Sequence, residues 1–327
     1  MCLGSGQHRS GGARVPVGVA GRNRPGPQIR AAPASLLVFG GIVSVQLGAG
    51  LAGRMFAELG PAGVTGLRLW WSALIVAVIG GRALARTLRT VVADRAWRDL
   101  AVAVAFGVVL GIMNFSIYQS FARIPLGVAV TIEFLGPLAV AVASSRRWLD
   151  VLWVVLAAAG VLLLTEGGGG HALNLAGIAF GLVAAAGWAA YILLSRATGQ
   201  RFGGSSGLVI AMVVAAVVVT GPAISAAGPT LLHPGVIAEG LAIGLLSSVI
   251  PYRLELEALR RVPAGVFGIW MSVEPAVAAL VGLVLLSEAL LIRQWLAILL
   301  VIVACAGAAR YGASELPEPD SLPPPPA

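Results

Sequence analysis

Between residues 34 and 310 the chain consists of long apolar runs separated by short polar or turn-forming breaks. A membrane-crossing helix needs about 20 mostly apolar residues. Ten runs qualify: 34–53, 62–81, 100–122, 126–144, 148–165, 174–194, 206–226, 236–258, 264–286 and 291–310. The breaks carry turn residues. Gly60-Pro61 follows the first run, Gly167 to Gly170 lie between the fifth and sixth, and Gly228-Pro229 and His233-Pro234 precede the eighth. This pattern predicts an all-α polytopic membrane protein.

Composition agrees. Hydrophobic residues make up 58% of the chain and charged residues only 11%, where a soluble domain carries about 25% charged residues. Mean hydropathy is +0.93. The net charge of +8 does not point to nucleic acid, because the arginines lie in the breaks, where they orient helices. With the N-terminus inside, seventeen arginines fall on the cytoplasmic side, among them Arg82, Arg86, Arg89, Arg146, Arg147, Arg196, Arg201, Arg260, Arg261 and Arg310. Three fall outside: Arg54, Arg123 and Arg293. That asymmetry predicts both termini in the cytoplasm, and the apolar chain is expected in the cell (inner or plasma) membrane.

Residues 1–32, rich in Gly, Arg and Pro, read as a disordered basic tail or an over-long gene start. They lack the cleavage site of a signal peptide. Residues 311–327 read as a Pro-rich disordered tail. The chain has no lysine, which removes the P-loop lysine and Schiff-base chemistry. The two cysteines, Cys2 and Cys305, suggest no disulfide framework, and the three histidines, His8, His171 and His233, form no zinc pattern. No metal and no cofactor are expected, and an enzyme is not.

The chain also repeats itself. Residues 123–141, RIPLGVAVTIEFLGPLAVA, return as residues 261–279, RVPAGVFGIWMSVEPAVAA. A shift of 138 residues superposes Arg123 on Arg261, Pro125 on Pro263, Gly127 on Gly265 and Pro137 on Pro275. The first copy joins runs three and four, the second joins runs eight and nine. Each half thus holds five spans, 33–165 and 174–310, and an odd number makes the second half enter from the opposite side. The expected architecture is a 5+5 inverted repeat of ten helices, a plan found in secondary transporters.

Candidate chemistry sits in the spans. Glu133 and Glu274 lie in otherwise apolar segments, where a carboxylate costs roughly 2.5–3.5 kcal/mol on insertion scales and faces a cavity or a partner. Either can be a functional acid or a neutral group joining helices. Arg68 lies within about 3 Å of the depth of Glu133 at 1.5 Å per residue. It can pair with Glu133, hold a substrate carboxylate, or snorkel to the interface. Gly107, Gly111, Asn114 and Tyr118 form one helical stripe, with close packing at the glycines and substrate contact or interhelical bonding at the polar pair. Tyr252 and Glu255 share a face, and Arg253 with Glu257 has the spacing of a local ion pair. Pro251 can break its helix and free a carbonyl. Phe267, Trp270 and Glu274 form a stripe in which an aromatic beside a carboxylate suits an ammonium group. Pro137 and Pro275 each remove a helix hydrogen bond and are expected to kink spans four and nine.

The segments IPLGVAVTIEFLGPLAVAVASSRR at 124–147 and IPYRLELEALRRVPAGVFGIWMSVEPAVAAL at 250–280 resemble the signatures of the drug/metabolite transporter superfamily. They look like its EamA-like branch and, within that, the threonine and homoserine exporters. The resemblance implies an inner-membrane exporter of small amino acids with a central cavity between inverted halves, and Glu133, Glu255 and Glu274 as its acidic positions. Arg253 departs from the small polar residue usual there and could narrow the cavity. The resulting expectation is secondary export by alternating access, driven by an ion gradient, in which an intramembrane carboxyl exchanges a proton for substrate. Another small metabolite or drug as cargo, and a passive channel, remain open. The expected partners are a small-molecule substrate and the lipid bilayer, without nucleic acid, in a monomer or homodimer.

Overall fold

The computed structural model describes residues 33–93, 95–144, 150–165, 174–202 and 206–312. Both tails, the glycine run 167–170 and Arg146-Arg147 lie outside these residues. Among the described residues the structure is helical without strands. The helices are α1 (Ala34–Arg54), α2 (Phe56–Ala93), α3 (Trp97–Phe121), α4 (Leu126–Glu133), α5 (Leu135–Ser144), α6 (Asp150–Thr165) and α7 (Leu175–Arg201). Then follow α8 (Ser206–Ala227), α9 (Pro234–Gly244), α10 (Ile250–Leu259), α11 (Ala264–Met271), α12 (Glu274–Leu286) and α13 (Ile292–Gly312).

Nine helical stretches among the described residues are long and apolar enough to cross a membrane. The fifth predicted span gives α6, an apolar helix of 16 residues. The second span corrects the sequence reading at both ends. Past Gly81 the chain continues as RALARTLRTVVA, mostly good helix formers, and α2 runs on to Ala93. Gly60-Pro61 makes a kink rather than a loop. Gly60 has φ 64° and ψ 162°, a conformation open to glycine without a steric penalty, and only Met55 separates α1 from α2.

Spans four and nine are interrupted. Proline lacks the N–H that would bond four residues back. Pro137 therefore leaves the carbonyl of Glu133 without its helical donor, and α4 ends there, with Phe134 between α4 and α5. Pro275 does the same to Met271, and Ser272-Val273 separates α11 from α12. Span eight adapts differently. A π-helical turn, Leu245–Val249, precedes Pro251.

Neighbours in space cross the sequence halves. The first helix, α1, packs on α10, α11 and α12, whereas α7 packs on α3, α4 and α5. On α3, Gly107 and Gly111 lie against the α8 backbone at Ala211 and Ala215. That is the close approach small residues permit between membrane helices. The core is where these interlocked elements meet.

Candidate functional site

A cavity of about 210 Å³ lies at that meeting point. It is below the roughly 300–1,000 Å³ usual for drug-sized ligands, so it suits a small solute. Its lining comes from both sequence halves and includes Arg68, Asn114, Glu133, Pro251, Tyr252, Glu255 and Glu274. The structure therefore brings together seven positions that the sequence had singled out separately.

Arg68 does not form a salt bridge with Glu133. Its Nη1 donates to the Tyr118 hydroxyl at 3.3 Å and its Nη2 to the Ser247 carbonyl at 3.2 Å. The guanidinium also lies 5.4 Å from the centroid of the Tyr118 ring. Pro251 has no N–H to offer, and the turn before it is in the π register, with the Ile250 N–H bonding the Leu245 carbonyl five residues back. In the π register the deprived carbonyl is that of Leu246, and it accepts from Ser44 Oγ at 2.8 Å. Ser44 thus supplies the donor that the proline withholds, as a span must do away from water, and Arg68 donates to the neighbouring Ser247 carbonyl. Tyr118 is fully buried behind Arg68 and does not line the cavity.

Glu274 is held by a residue the sequence reading missed. Gln46 Nε2 donates to Glu274 Oε1 at 2.7 Å, and both side chains are buried. Glu133 and Glu255 line the same cavity but have no hydrogen bond or salt bridge among the described residues. Asn114 spends its amide on the Leu110 carbonyl one turn back, at 2.8 Å. Ser247, Trp188, Tyr191 and Phe121 complete the polar and aromatic wall. A polar Gln46 inside the first apolar run was the available signal. Trp188 and Tyr191, at i and i+3, formed a stripe in the sixth.

Three expectations fail. Trp270 is half-buried and does not line the cavity. The stripe Phe267, Trp270, Glu274 assumed a continuous helix, and the break at Ser272-Val273 separates its members. Phe267 faces a second cavity of about 360 Å³, together with Pro137. Pro275 lines neither. Arg253 is exposed and does not narrow the cavity. Nor does it pair with Glu257, which binds Arg261 at 2.6 Å and Arg260 at 3.6 Å. Glu257 is taken up by the two arginines that follow it, at i+3 and i+4.

Beyond the end of α12, Ser287 takes a left-handed conformation, φ 58°. The Leu126 N–H at the start of α4 donates to Glu288 Oε2 at 2.7 Å. Burial pushes the Glu288 carboxyl above the usual carboxylate range, and the Leu126 N–H pulls it partly back.

The EamA-like transporter family model matches residues 175–310. The threonine/homoserine exporter RhtA of Escherichia coli (strain K12) is 41% identical over 267 residues, covering 81% of this chain and 88% of that protein. The chain belongs to the EamA-like transporter family. RhtA of Salmonella typhimurium (strain LT2) is likewise 41% identical over 268 residues, 81% of this chain and 87% of that protein. A solved crystal structure is similar in fold, with a TM-score of 0.56 at 18% identity, covering 87% of this chain and 99% of that chain. The family and the RhtA proteins are transporters. This EamA-like protein is accordingly a membrane transporter and not an enzyme, with a small molecule as its substrate.

Proposed function

We propose that the protein exports small α-amino acids of the threonine and homoserine kind, by alternating access of a central site between two inverted five-helix halves. The observation that carries this reading is the small cavity, with one guanidinium and three carboxylates facing it from both halves. A zwitterion needs one cationic and one anionic contact. Arg68 supplies the first and a glutamate the second. The 41% identity to exporters of threonine and homoserine supports the choice of cargo.

Ten crossings, with α6 as the fifth, are supported by contacts between distant chain ends. Asp99 at the start of α3 pairs with Arg201 at the end of α7, 3.2 Å apart. They share a membrane side if the chain crosses an even number of times between them, as it does when α6 crosses. The bond between Leu126 and Glu288 fits the same count. With both termini in the cytoplasm, as the arginine distribution favours, the second cavity lies toward the cytoplasmic ends of α5 and α13. It shares Trp188, Glu255 and Met271 with the central one. Transport draws on an ion gradient, with Glu133 or Glu274 exchanging a proton for substrate.

Purified protein in liposomes, offered a panel of amino acids under an imposed pH gradient, tests this. Saturable movement of threonine or homoserine that responds to the gradient is expected. Glu133→Gln or Glu274→Gln should lower it by about tenfold or more, the scale of a charged hydrogen bond. Wild-type rates in both variants across pH would sink the coupling, and flux without saturation would point to a channel.

A further inference from the structure

We propose that Gln46 and Glu274 form the acceptor end of the substrate site and take the ammonium group of the amino acid, with Gln46 as a specificity-determining residue for that group. This rests on amino-acid transport as read above and adds which acid binds substrate and what orients it.

A carboxylate can only accept hydrogen bonds. Once Glu274 Oε1 takes the Gln46 amide N–H at 2.7 Å, the amide must leave its carbonyl oxygen elsewhere. Gln46 Oε1 and Glu274 Oε2 are both buried and have no partner. They belong to cavity-lining side chains that are 3% and 7% exposed. Two more cavity-lining groups are in the same state, Arg68 Nε and Ser247 Oγ. Buried polar atoms are nearly always paired, so four orphans around one cavity mark a site made for a polar ligand. Their chemistry is sorted. The α1/α12 side offers two acceptors and a negative charge. Arg68 and Ser247 offer a guanidinium N–H and a hydroxyl, with Arg68 already fixed on the Ser247 carbonyl and the Ser247 Oγ set against Gly48 of α1. An ammonium group has three donors and no acceptor and fits the first end, while a carboxylate fits the second. Glu133 and Glu255 lack such an anchor. A held acceptor pair loses less entropy on binding, which favours Glu274 for the ammonium and leaves Glu133 as the acid open for proton exchange.

The test is efflux of labelled homoserine from liposomes carrying the full-length protein, with homoserine or N-acetylhomoserine as competitor. N-acetylhomoserine keeps the carboxylate and hydroxyl but has no ammonium, and should compete about tenfold or more weakly. Gln46→Met, similar in length but without an acceptor, should raise KM for homoserine by about tenfold with the maximal rate nearly kept, the signature of lost binding. It should also narrow the preference over N-acetylhomoserine, which a purely structural role would not do. Equal competition by the two compounds on wild type overturns the proposal, as does a folded Gln46→Met with unchanged KM and preference. If Gln46→Met does not fold, the competition on wild type decides alone. If wild type transports no amino acid, the functional reading falls and this proposal with it; if it transports homoserine but fails the competition arm, only this proposal falls.

Discussion

The two copies of the duplicated segment differ most where they agree in backbone. Under the 138-residue shift Glu133 corresponds to Met271, and both line the central cavity. Gly136 corresponds to Glu274, and here the copies part. Gly136 lies against the Ala185 carbonyl of α7, where a Cβ would overlap backbone. Glu274 lies against α1, where Gln46 reaches across to it. One copy spends the position on close helix packing and the other spends it on a buried polar pair. A duplicated scaffold can thus enclose a one-sided site, because the neighbour decides whether a given position has room for a side chain.

The strongest way to break this comparison is to put a side chain on the crowded copy. In Gly136→Leu the new atoms meet the Ala185 backbone, which cannot swing aside. Overpacking costs typically 1–3 kcal/mol, and because backbone must move we expect a loss near about 3 kcal/mol, read as a marked drop in the melting temperature of the purified protein in detergent. An unchanged melting temperature would mean that α7 is free to retreat and that packing does not set the asymmetry.

Tyr118→Phe tests the donor end with a smaller effect. It removes the acceptor of Arg68 Nη1 and keeps the ring under the guanidinium. A hydrogen bond to a charged group contributes roughly 1.5–3 kcal/mol, and at 3.3 Å this one is long, so homoserine flux should fall by roughly tenfold. Full activity would show that the Ser247 carbonyl alone positions Arg68.

The least effect is expected at Glu288, which holds the N-terminus of α4 in the first copy. Its carboxyl binds a proton more tightly in the folded protein than its ordinary value of 4.5. The folded state is then the better proton binder above that value, so stability from this group is present at low pH and is lost as pH rises through the raised value. Wild type should lose melting temperature relative to Glu288→Gln as pH rises from 4.5. Parallel curves would remove Glu288 as a titrating group and leave its bond to Leu126 as a plain cap.

Much of the scaffold was readable in advance. Nine of the ten apolar runs gave helical stretches of crossing length among the described residues. The helix interruptions fall where each proline withholds its N–H, at Pro137 and Pro275. The intramembrane acids were conspicuous because charge is rare there, and Glu133, Glu255 and Glu274 do line one cavity. Their surroundings were not readable. Depth along a helix suggested Arg68 beside Glu133, but depth carries no information on rotation, and the guanidinium found Tyr118 and the Ser247 carbonyl instead. Trp270 looked suitable by spacing and was displaced by the break after Met271. Gln46 passed unnoticed because a neutral amide in an apolar run gives a weak signal beside three glutamates.

The sequence by itself determined that this chain lives in a bilayer, where its helices run, that part of it is duplicated, and which residues are too polar to face lipid. Only the tertiary structure decided which of those residues meet. The physical reason is the solvent. In water the buried face of a helix is its apolar stripe, so periodicity reveals orientation. In a bilayer the lipid-facing and protein-facing sides are both apolar, and the stripe disappears. What then selects the inward face is close packing, such as Gly136 on α7, and the need to satisfy each buried polar atom, such as Gln46 with Glu274 and Ser44 with the carbonyl that Pro251 left free.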